Sequence, residues 1–394
     1  MNPLAITDYT VTSALGAGRA ATLAALRAGR TGLQRRAFET AALDTWIGEV
    51  PGVDAVRVPP ALAEFDCRNN RLAWLGLQAD DFAASVAAAR TRHGARRIAL
   101  VLGTSTSGIL GAEHAYRRRD PHSGALPPDF HYAGTLNTGS LAAFVRAALD
   151  LGGPAFVIST ACSSSAKAFA AAGRLIELGL ADAAVVGGVD SLCLHTLYGF
   201  DALELLSPDI CRPWDAGRRG LSLGEGAAFA LLERAPARPR AWLLGAGESS
   251  DGYHMSAPHP EGAGAAAAIR AALAAARVAP AQIDSVNLHG TGTASNDAAE
   301  DAAMRSVFGE RVACSSTKGA TGHTLGAAGA IEAAVALLAL EHGMMPGGAN
   351  RRAPDPALHA RYLDAPADAP LRFAASNSFG FGGSNACLVF GAAA

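Results

Sequence analysis

Short apolar runs of strand length alternate with longer, alanine-rich stretches of helical periodicity. The strand-like runs are residues 97–103, 155–160, 183–188 and 283–288. The helix-like stretches are residues 164–178, 265–276 and 327–341, the last of which ends before Gly343. Because strands that alternate with helices build parallel sheets with covered faces, this order predicts an α/β fold with largely parallel, buried strands.

Two pairs of similar segments indicate an internal repeat. Residues 157–165 and residues 312–318 both pass from an apolar strand through Ala-Cys-Ser-Ser toward an alanine-rich helix. Residues 224–232 and residues 382–390 both place a turn of small residues before an apolar strand. The repeat predicts two βα-rich halves that share one core. Their predicted bounds are residues 1–235 and residues 236–394.

The chain has 394 residues and a mass of 40.0 kDa, half of its residues are hydrophobic, and its formal net charge is −2. This composition excludes a disordered chain, and it offers no basic excess with which to bind nucleic acid. Six cysteines are scattered without the spacing of a zinc site or a disulfide framework. No apolar run reaches the ~20 residues that a bilayer requires, and the N-terminus lacks a signal-peptide pattern. We therefore expect a cytoplasmic protein that binds neither membranes nor nucleic acid.

Three polar segments follow predicted strands and contain the candidate nucleophile and hydrogen-bond donors. Cys162 lies between a strand and a helix, where free helix N–H groups favour a thiolate; a buried structural cysteine is the alternative. His289 begins a glycine-threonine loop at a strand end, where α/β folds bind ligands; a histidine that bonds loop backbone is the alternative. His323 lies before the last helix, and helix capping is its alternative. One cysteine and two histidines together suit acyl transfer through a thioester.

Lysine is almost absent, since only Lys167 and Lys318 occur among the 33 basic residues. Lys318 lies close to His323 in sequence, and Glu332 follows on the next predicted helix. A lysine and a glutamate brought together would satisfy each other and could orient a catalytic group; a surface lysine is the alternative. A fourth segment, residues 377–385, interleaves glycines with two phenylalanines, which gives either a mobile backbone with available N–H groups or a tight turn before the last strand.

These segments resemble the motifs of the β-ketoacyl-acyl carrier protein synthases of the I/II type, which are condensing enzymes of the thiolase superfamily. The matching motifs are Thr160-Ala-Cys-Ser-Ser-Ser, His289-Gly-Thr-Gly-Thr, Lys318 to His323, and Phe379-Gly-Phe-Gly-Gly. Within the family, residues 159–167 and 257–262 look like the synthases of aryl polyene pathways. The resemblance implies an α/β, thiolase-like, duplicated five-layer αβαβα fold that forms a homodimer or a heterodimer with a related ketosynthase.

The resemblance also implies an activity and a role for each matching residue. Cys162 would accept an acyl group from an acyl carrier protein, and His289 and His323 would stabilise the enolate that forms when malonyl carrier protein loses CO2. Lys318 would orient the histidines through Glu332. The implied enzyme is an acyltransferase, a β-ketoacyl-carrier protein synthase, that performs a decarboxylative Claisen condensation in fatty acid, polyketide or aryl polyene biosynthesis. No metal or bound cofactor is expected, because the substrates are carried on phosphopantetheine.

Further residues are assigned by the same resemblance to substrate and carrier protein. The backbone N–H groups of Cys162 and Phe381 would form an oxyanion hole, and Phe381 would gate the acyl pocket. The expected substrate contacts are Thr291, Thr293, Phe379 and Thr106, the last of which would face the acyl pocket. Carrier proteins are acidic, and Arg68 and Arg71 match a family docking position.

Three alternatives stay open within this fold. A thiolase needs a second cysteine near the C-terminus, and Cys387 is close but lies inside a predicted strand. The type III synthases use asparagine in the place of His323. A non-catalytic chain-length subunit loses the nucleophile, which Cys162 and both histidines argue against, although a partner-dependent subunit can retain them.

Overall fold

The computed structural model describes residues 1–234 and 238–393, so the predicted boundary between residues 235 and 236 lies outside the described residues. The strands are β1 (Leu4–Ser13), β2 (Gly16–Ala17), β3 (Gln34–Arg35), β4 (Trp46–Gly48), β5 (Ile98–Gly103), β6 (Ala155–Ile158), β7 (Ala183–Asp190), β8 (Leu223–Gly224), β9 (Gly226–Glu233), β10 (Ala241–Ser250), β11 (Ser285–Asn287), β12 (Ala313–Ser315), β13 (Met344–Met345), β14 (Arg361–Tyr362), β15 (Ala367–Asp368), β16 (Phe373–Gly380) and β17 (Ser384–Ala392). The α-helices are α1 (Arg19–Arg27), α2 (Arg68–Gln78), α3 (Phe82–His93), α4 (Ile109–Arg117), α5 (Gly139–Ala148), α6 (Ser164–Glu177), α7 (Leu194–Ala202), α8 (Ala263–Ala276), α9 (Ala294–Phe308), α10 (Lys318–Thr321) and α11 (Ala328–His342).

The main sheet shows the internal repeat as a repeated topology. Its strands lie in the order β14-β12-β11-β16-β17-β10-β1-β9-β7-β5-β6, and β2 pairs with β1. Outward from β1 the order is β1, β9, β7, β5, β6, and outward from β10 it is β10, β17, β16, β11, β12. In chain order, one set of strands is β1, β5, β6, β7 and β9, and the other is β10, β11, β12, β16 and β17. In both sets the spatial order is the first, fifth, fourth, second and third strand of the set. Both sets also share three parallel strands and an antiparallel fifth strand, so the structure confirms the repeat.

The two halves share a central layer of two helices, α6 and α11, one from each half. Each central helix packs against strands of both halves, and the two helices contact each other. Residues 325–342 are long and apolar enough to cross a membrane by length and composition, yet 89% of the stretch is buried inside the fold. Its apolar character is therefore explained by its place at the centre of the core, where every side is covered.

Outer helices complete the layers. The helices α2, α3 and α5 cover the sheet of the first half, and α8 and α9 cover the sheet of the second half. The order from one side to the other is helices, sheet, helices, sheet, helices. This arrangement confirms the α/β class, but the expectation of largely parallel strands is wrong, because antiparallel pairs join β1, β9, β10 and β17 at the centre of a mixed sheet. The layers leave the turns before α6 and α11 facing each other.

Candidate active site

Cys162 lies in a sharp turn between the end of β6 and the start of α6. Ala161 immediately before it has φ of 52°, and the turn is closed by a bond from the Thr160 N–H to Ser164 Oγ at 2.9 Å. A Cβ on Gly380 would lie 2.8 Å from the Thr160 carbonyl oxygen, so only glycine allows the last strands to approach this turn. The turn therefore presents Cys162, which is 5% exposed, at the head of a central helix.

His323 lies directly against the cysteine. Its Nε2 is 2.9 Å from Cys162 Sγ. The backbone of His323 is fixed on both sides, because its N–H donates to the Ser222 carbonyl oxygen at 2.8 Å and its own carbonyl accepts from the Gly224 N–H at 3.0 Å. The second half of the chain thus brings this imidazole to a nucleophile supplied by the first half.

His289 completes the cluster. Its ring centroid is 5.4 Å from that of His323, with the ring planes at 85°. One potential ligand atom each from Cys162, His289 and His323 lies within 4.8 Å of the others. The N–H groups of His289 and Gly290 donate to the carboxylate of Glu300 at 2.8 and 2.7 Å, which fixes the start of the loop. The structure therefore brings together the three residues that the sequence singled out.

Lys318 is buried behind His289, with 1% exposure. Its ammonium donates to the His289 carbonyl oxygen at 2.5 Å, lies 3.4 Å from His289 Nδ1, and pairs with Glu332. A protonated amine beside Nδ1 favours the tautomer of His289 that carries its proton on Nε2. Lys318 thus contacts His289 directly, and its ammonium also forms an ion pair with Glu332.

Burial decides the protonation states in this site. Burial lowers the pKa of both His289 and His323, and the nearby Lys318 lowers it further, so both imidazoles are neutral near pH 7. Burial raises the pKa of Cys162 to about 12 against the opposing effect of Lys318, so the resting group is a thiol, and the thiolate expected at the head of the helix is not favoured. Burial also raises the pKa of Glu332 to about 7, although Lys318 opposes this shift. The site therefore holds neutral hydrogen-bonding groups beside one buried ion pair.

A pocket leads from the surface to the cluster. The predicted site residues that line it are Cys162, His289, His323, Thr291, Thr293, Phe379 and Phe381. The hydroxyls of Thr291 and Thr293 lie 2.9 Å apart on one side. The rings of Phe200 and Phe381 pack with centroids 5.6 Å apart, and the backbone N–H of Phe381 acts to lower the pKa of the Cys162 thiol. The pocket thus offers hydroxyls for a polar arm and aromatic rings for an acyl chain.

The expected contact between Thr106 and the acyl pocket is wrong. Thr106 is 1% exposed and does not line the pocket around Cys162. Its hydroxyl donates to the carboxylate of Asp190 at 2.8 Å and accepts from the Ser191 N–H at 3.2 Å. A buried carboxylate thus satisfies the Thr106 hydroxyl.

The docking role expected for Arg68 is also wrong. Arg68 is 7% exposed, and its guanidinium donates to Glu225 at 2.9 and 2.7 Å and to Asp54 at 2.6 Å. A buried, fully paired guanidinium cannot meet a carrier protein. Arg71 is half-buried and holds Asp66 with two bonds of 2.6 and 2.8 Å, so its docking role stays a prediction.

Sequence reasoning missed three residues that shape the site. Glu300 fixes the His289 loop, Phe200 forms an aromatic wall, and Asp190 binds the loop after β5. A signal existed for two of them. Asp190 ends an otherwise apolar strand, and Glu300 is an acid three residues after Asp297 on one helix, which places both acids on the same face. Phe200 carries no local signal.

A buried cysteine beside two neutral histidines, on a duplicated five-layer fold, defines a condensing enzyme of acyltransferase type with a thiolase-like architecture. The chain belongs to the β-ketoacyl synthase family. Residues 73–237 match the family model for the N-terminal domain of β-ketoacyl synthases, and residues 240–352 match the model for the C-terminal domain. Both the family resemblance and the fold expected from it are confirmed.

Similar proteins include a nodulation protein and a mitochondrial synthase. Nodulation protein E of Rhizobium meliloti is 38% identical over 307 residues, which covers 75% of this chain and 76% of that protein. The mitochondrial 3-oxoacyl-[acyl-carrier-protein] synthase of Arabidopsis thaliana is 40% identical over 259 residues, which covers 60% of this chain and 56% of that protein.

Solved structures show the same architecture across the whole chain. One matching structure is that of the ketosynthase ApeO in complex with its chain length factor ApeC, from Xenorhabdus doucetiae. A chain of this complex gives a TM-score of 0.90 at 40% identity, and the match covers 100% of this chain and 98% of that chain. A β-ketoacyl synthase from Burkholderia phymatum gives a TM-score of 0.89 at 29% identity, covering 100% of both chains.

The expected absence of a metal stays a prediction. A cysteine and two histidines within 4.8 Å of one another could also surround a metal ion. The expected absence of a bound cofactor is a prediction of the same kind.

Proposed function

We propose that this chain catalyses the decarboxylative Claisen condensation of an acyl group held on Cys162 with malonyl carrier protein. The observation that carries the proposal is the 2.9 Å contact between Cys162 Sγ and His323 Nε2 in a pocket that also presents His289. A nucleophile, a proton acceptor and a second neutral donor are the groups that the two half-reactions need.

Acyl transfer starts from the Cys162 thiol. In the tautomer that leaves Nε2 unprotonated, His323 accepts the thiol proton while the sulfur attacks the thioester carbon of an acyl carrier protein. The proton then passes to the departing phosphopantetheine thiolate, so His323 returns to its neutral form. The N–H groups of Cys162 and Phe381 would stabilise the oxyanion of the tetrahedral intermediate.

Decarboxylation builds negative charge on the malonyl thioester oxygen. His289 can donate to that oxygen, because Lys318 beside Nδ1 keeps its proton on Nε2. Once Cys162 is acylated its thiol proton is gone, and the Nε2–H tautomer of His323 can donate as well. A single donor of this kind lowers the barrier by about 2.7–4 kcal/mol.

Condensation closes the cycle. The enolate carbon attacks the acyl carbonyl on Cys162 and forms the new carbon–carbon bond, and collapse of the intermediate expels the Cys162 thiolate. The thiolate takes up a proton, and the β-ketoacyl group leaves on the carrier protein that delivered the malonyl unit.

Intact-mass analysis tests this assignment directly. The purified protein is incubated with a panel of acyl carrier proteins and then with malonyl carrier protein. We expect an acyl adduct on Cys162 that disappears as a β-ketoacyl carrier protein is released. Cys162→Ala should abolish the adduct, whereas Cys387→Ala, a matched change of a fully buried thiol in β17, should keep it. Undiminished acylation of Cys162→Ala would refute the nucleophile assignment, and loss of turnover in Cys387→Ala would favour the thiolase alternative.

For the pathway we propose aryl polyene biosynthesis, which rests on the motif resemblance at residues 159–167 and 257–262. The same acyl panel tests this choice when it includes saturated, polyenyl and aryl-polyenyl donors. A preference for saturated chains would assign the chain to fatty acid synthesis instead.

The partners we propose are a carrier protein and a second ketosynthase-type chain. The structural relatives include ketosynthases described in complex with a chain length factor. Strand β6 ends the sheet and exposes 38% of Phe156, which makes this edge the proposed contact with the second chain. For the carrier protein we propose Arg219, whose side chain is 62% exposed. It precedes Gly220, whose N–H bonds the Gly292 carbonyl oxygen in the loop that forms the pocket rim.

The alternative, a non-catalytic chain-length subunit, predicts no adduct with any donor. The retained cluster of Cys162, His289 and His323 favours the catalytic assignment. A partner-dependent enzyme would give an adduct only after its companion chain is added, and co-expression with that chain distinguishes the two cases.

A further inference from the structure

Asp190, the last residue of β7, is a buried carboxylate that the reaction steps above do not use. It is 0% exposed, and it has no cationic partner among its hydrogen-bond contacts in the described residues. Its first oxygen accepts from Thr104 Oγ1 at 2.6 Å and from both the N–H and the hydroxyl of Thr106 at 2.8 Å. The Ser105 N–H lies within 3.0 Å of both oxygens. One carboxylate thus binds the whole loop that follows β5.

The second oxygen of Asp190 reaches the other half of the chain. It accepts from the Gly326 N–H at 2.6 Å. A Cβ on Gly326 would lie 2.7 Å from Ser105 Oγ and 2.8 Å from Asp190 Oδ2, so this approach requires glycine. Gly326 comes three residues after His323, and Leu325 between them has φ of 53°. The turn that carries the imidazole is therefore tied to Asp190.

The same carboxylate is linked to the nucleophile. The hydroxyl of Ser105 donates to the carbonyl oxygen of Ala161 at 3.4 Å, and Ala161 is the residue before Cys162. The segments that present Cys162 and His323 come from opposite halves of the chain, and both converge on Asp190. The contact between the two reacting atoms thus depends on a shared anchor that touches neither of them.

We propose that Asp190 is a positioning residue, which sets the distance between Cys162 Sγ and His323 Nε2 by holding the turns that carry them. The geometry stands without the proposed function; only the expected loss of malonyl decarboxylation rests on it. A carboxylate suits this task because every contact of Asp190 is a donor, so all of them need an acceptor.

Asp190→Asn is the test, because it keeps the shape and replaces one acceptor with an NH2 group. The remaining oxygen can still accept hydrogen bonds from Thr104 and Thr106. The NH2 group then faces the Gly326 N–H, so two donors meet and that bond is lost. A displacement of about 1 Å at reacting groups costs about 10²-fold in rate. We expect malonyl decarboxylation to fall by about that factor with an unchanged KM. The matched control is Asp182→Asn, a partly exposed acid just before β7 that pairs with Arg97, and it should leave both rates unchanged.

A readout that needs no carrier protein separates this inference from the proposed function. The rate at which iodoacetamide alkylates Cys162 is measured against pH in the wild type, in Asp190→Asn and in His323→Ala. We expect the profile of Asp190→Asn to move toward that of His323→Ala. Urea denaturation of the same samples gives the folded fraction. Thr104→Val, which removes one donor and keeps the carboxylate, should move the same rates by a smaller factor and serves if Asp190→Asn does not fold.

The outcomes are distinct. A shifted alkylation profile in folded Asp190→Asn supports the positioning role, even if the wild type decarboxylates no malonyl carrier and the proposed function fails. A wild-type alkylation profile, or rates that fall only in proportion to the folded fraction, overturns it and leaves Asp190 with a structural role alone.

Discussion

Replacing Lys318 by methionine tests what the buried ammonium contributes to stability and to decarboxylation. Methionine keeps the unbranched stem and removes only the ammonium. The change leaves the carboxylate of Glu332, which is 2% exposed, without its cation, and it leaves the carbonyl oxygen of His289 without its donor. Stability and decarboxylation should both fall, for two separable reasons.

The size of the stability loss follows from the burial of the pair. Removing one partner of a buried ion pair costs about 3–5 kcal/mol, because the other charge is left uncompensated. Burial already raises the pKa of Glu332 to about 7, so near neutrality this group can take up a proton. We therefore expect a loss at the lower end of that range, about 3 kcal/mol at pH 7.

The loss should depend on pH with a defined sign. Burial raises the pKa of Glu332 above its ordinary value of 4.5, and a carboxyl of this kind favours the folded state most below that value. Its contribution is lost as the pH rises through the folded pKa, and in the wild type Lys318 offsets that loss. Because Lys318 lowers this pKa in the wild type, the pKa of Glu332 should be higher still in Lys318→Met. The deficit of Lys318→Met relative to the wild type should therefore be smaller near about pH 5 than near about pH 8, and it should keep growing as the pH rises.

Urea denaturation at both pH values measures the stability, and conversion of malonyl to acetyl carrier protein measures decarboxylation. The double variant Lys318→Met/Glu332→Leu removes both charges. We expect it to regain most of the stability, since a buried pair replaced by apolar groups is often neutral, but not the decarboxylation, because His289 still lacks its donor. A Lys318→Met protein that loses less than about 1 kcal/mol at the higher pH, or a double variant that regains decarboxylation, would refute this reasoning.

Three further changes test the loop, the pocket rim and the sheet edge. Glu300→Gln should slow decarboxylation about tenfold, because one of the two N–H groups that start the His289 loop loses its acceptor; the rate of Cys162 acylation should stay unchanged. Arg219→Glu should weaken transfer from acyl carrier protein in a salt-sensitive way but not from acyl-pantetheine. Arg71→Glu should have the smaller effect, because Arg71 is less exposed and lies 2.6 Å from Asp66, whereas Arg219 lies 3.6 Å from Asp209. Phe156→Asp should shift the mass measured by light scattering toward that of one chain, because a charge on the edge strand opposes pairing.

Each of these has a contrary result. Equal losses in acylation and decarboxylation for Glu300→Gln would mean a general loss of folded protein. A drop with both donors for Arg219→Glu would place that residue in catalysis rather than carrier binding. An unchanged mass for Phe156→Asp would move the subunit contact to another surface.

The candidate catalytic residues could be found from the sequence because each lies in a short segment of residues that form the same turn or loop. Cys162 and His289 stand among small polar residues that serve a turn, and that local composition is visible in the chain. Thr106 and Arg68 were misassigned because their partners are remote: Asp190 is 84 residues from Thr106, and Glu225 is 157 residues from Arg68. No local pattern shows that a hydroxyl or a guanidinium will be met by a buried acid from another strand.

The α/β class could be predicted from the alternation of strands and helices, and the repeat from two pairs of similar segments, whereas the five-layer arrangement followed only from the family resemblance. The pairing of β1 with β10, which joins the two sheets, could not. It rests on a few residue pairs, such as Leu4 with Leu243, that lie more than half the chain apart. Phe200 was missed for the same reason, because its place in the pocket wall depends on packing against Phe381, which is remote in sequence.

The central helices come one from each half, and the reacting side chains stand in the turns before them rather than on their packed faces. Cys162 lies two residues before α6, and His323 lies five residues before α11. Substitution of either residue would therefore remove the proposed chemistry without opening the layer between the sheets. A copy of such a chain can lose its activity and still keep the surfaces with which it assembles. In this architecture, an inactive companion subunit is separated from an enzyme by as little as one or two point substitutions.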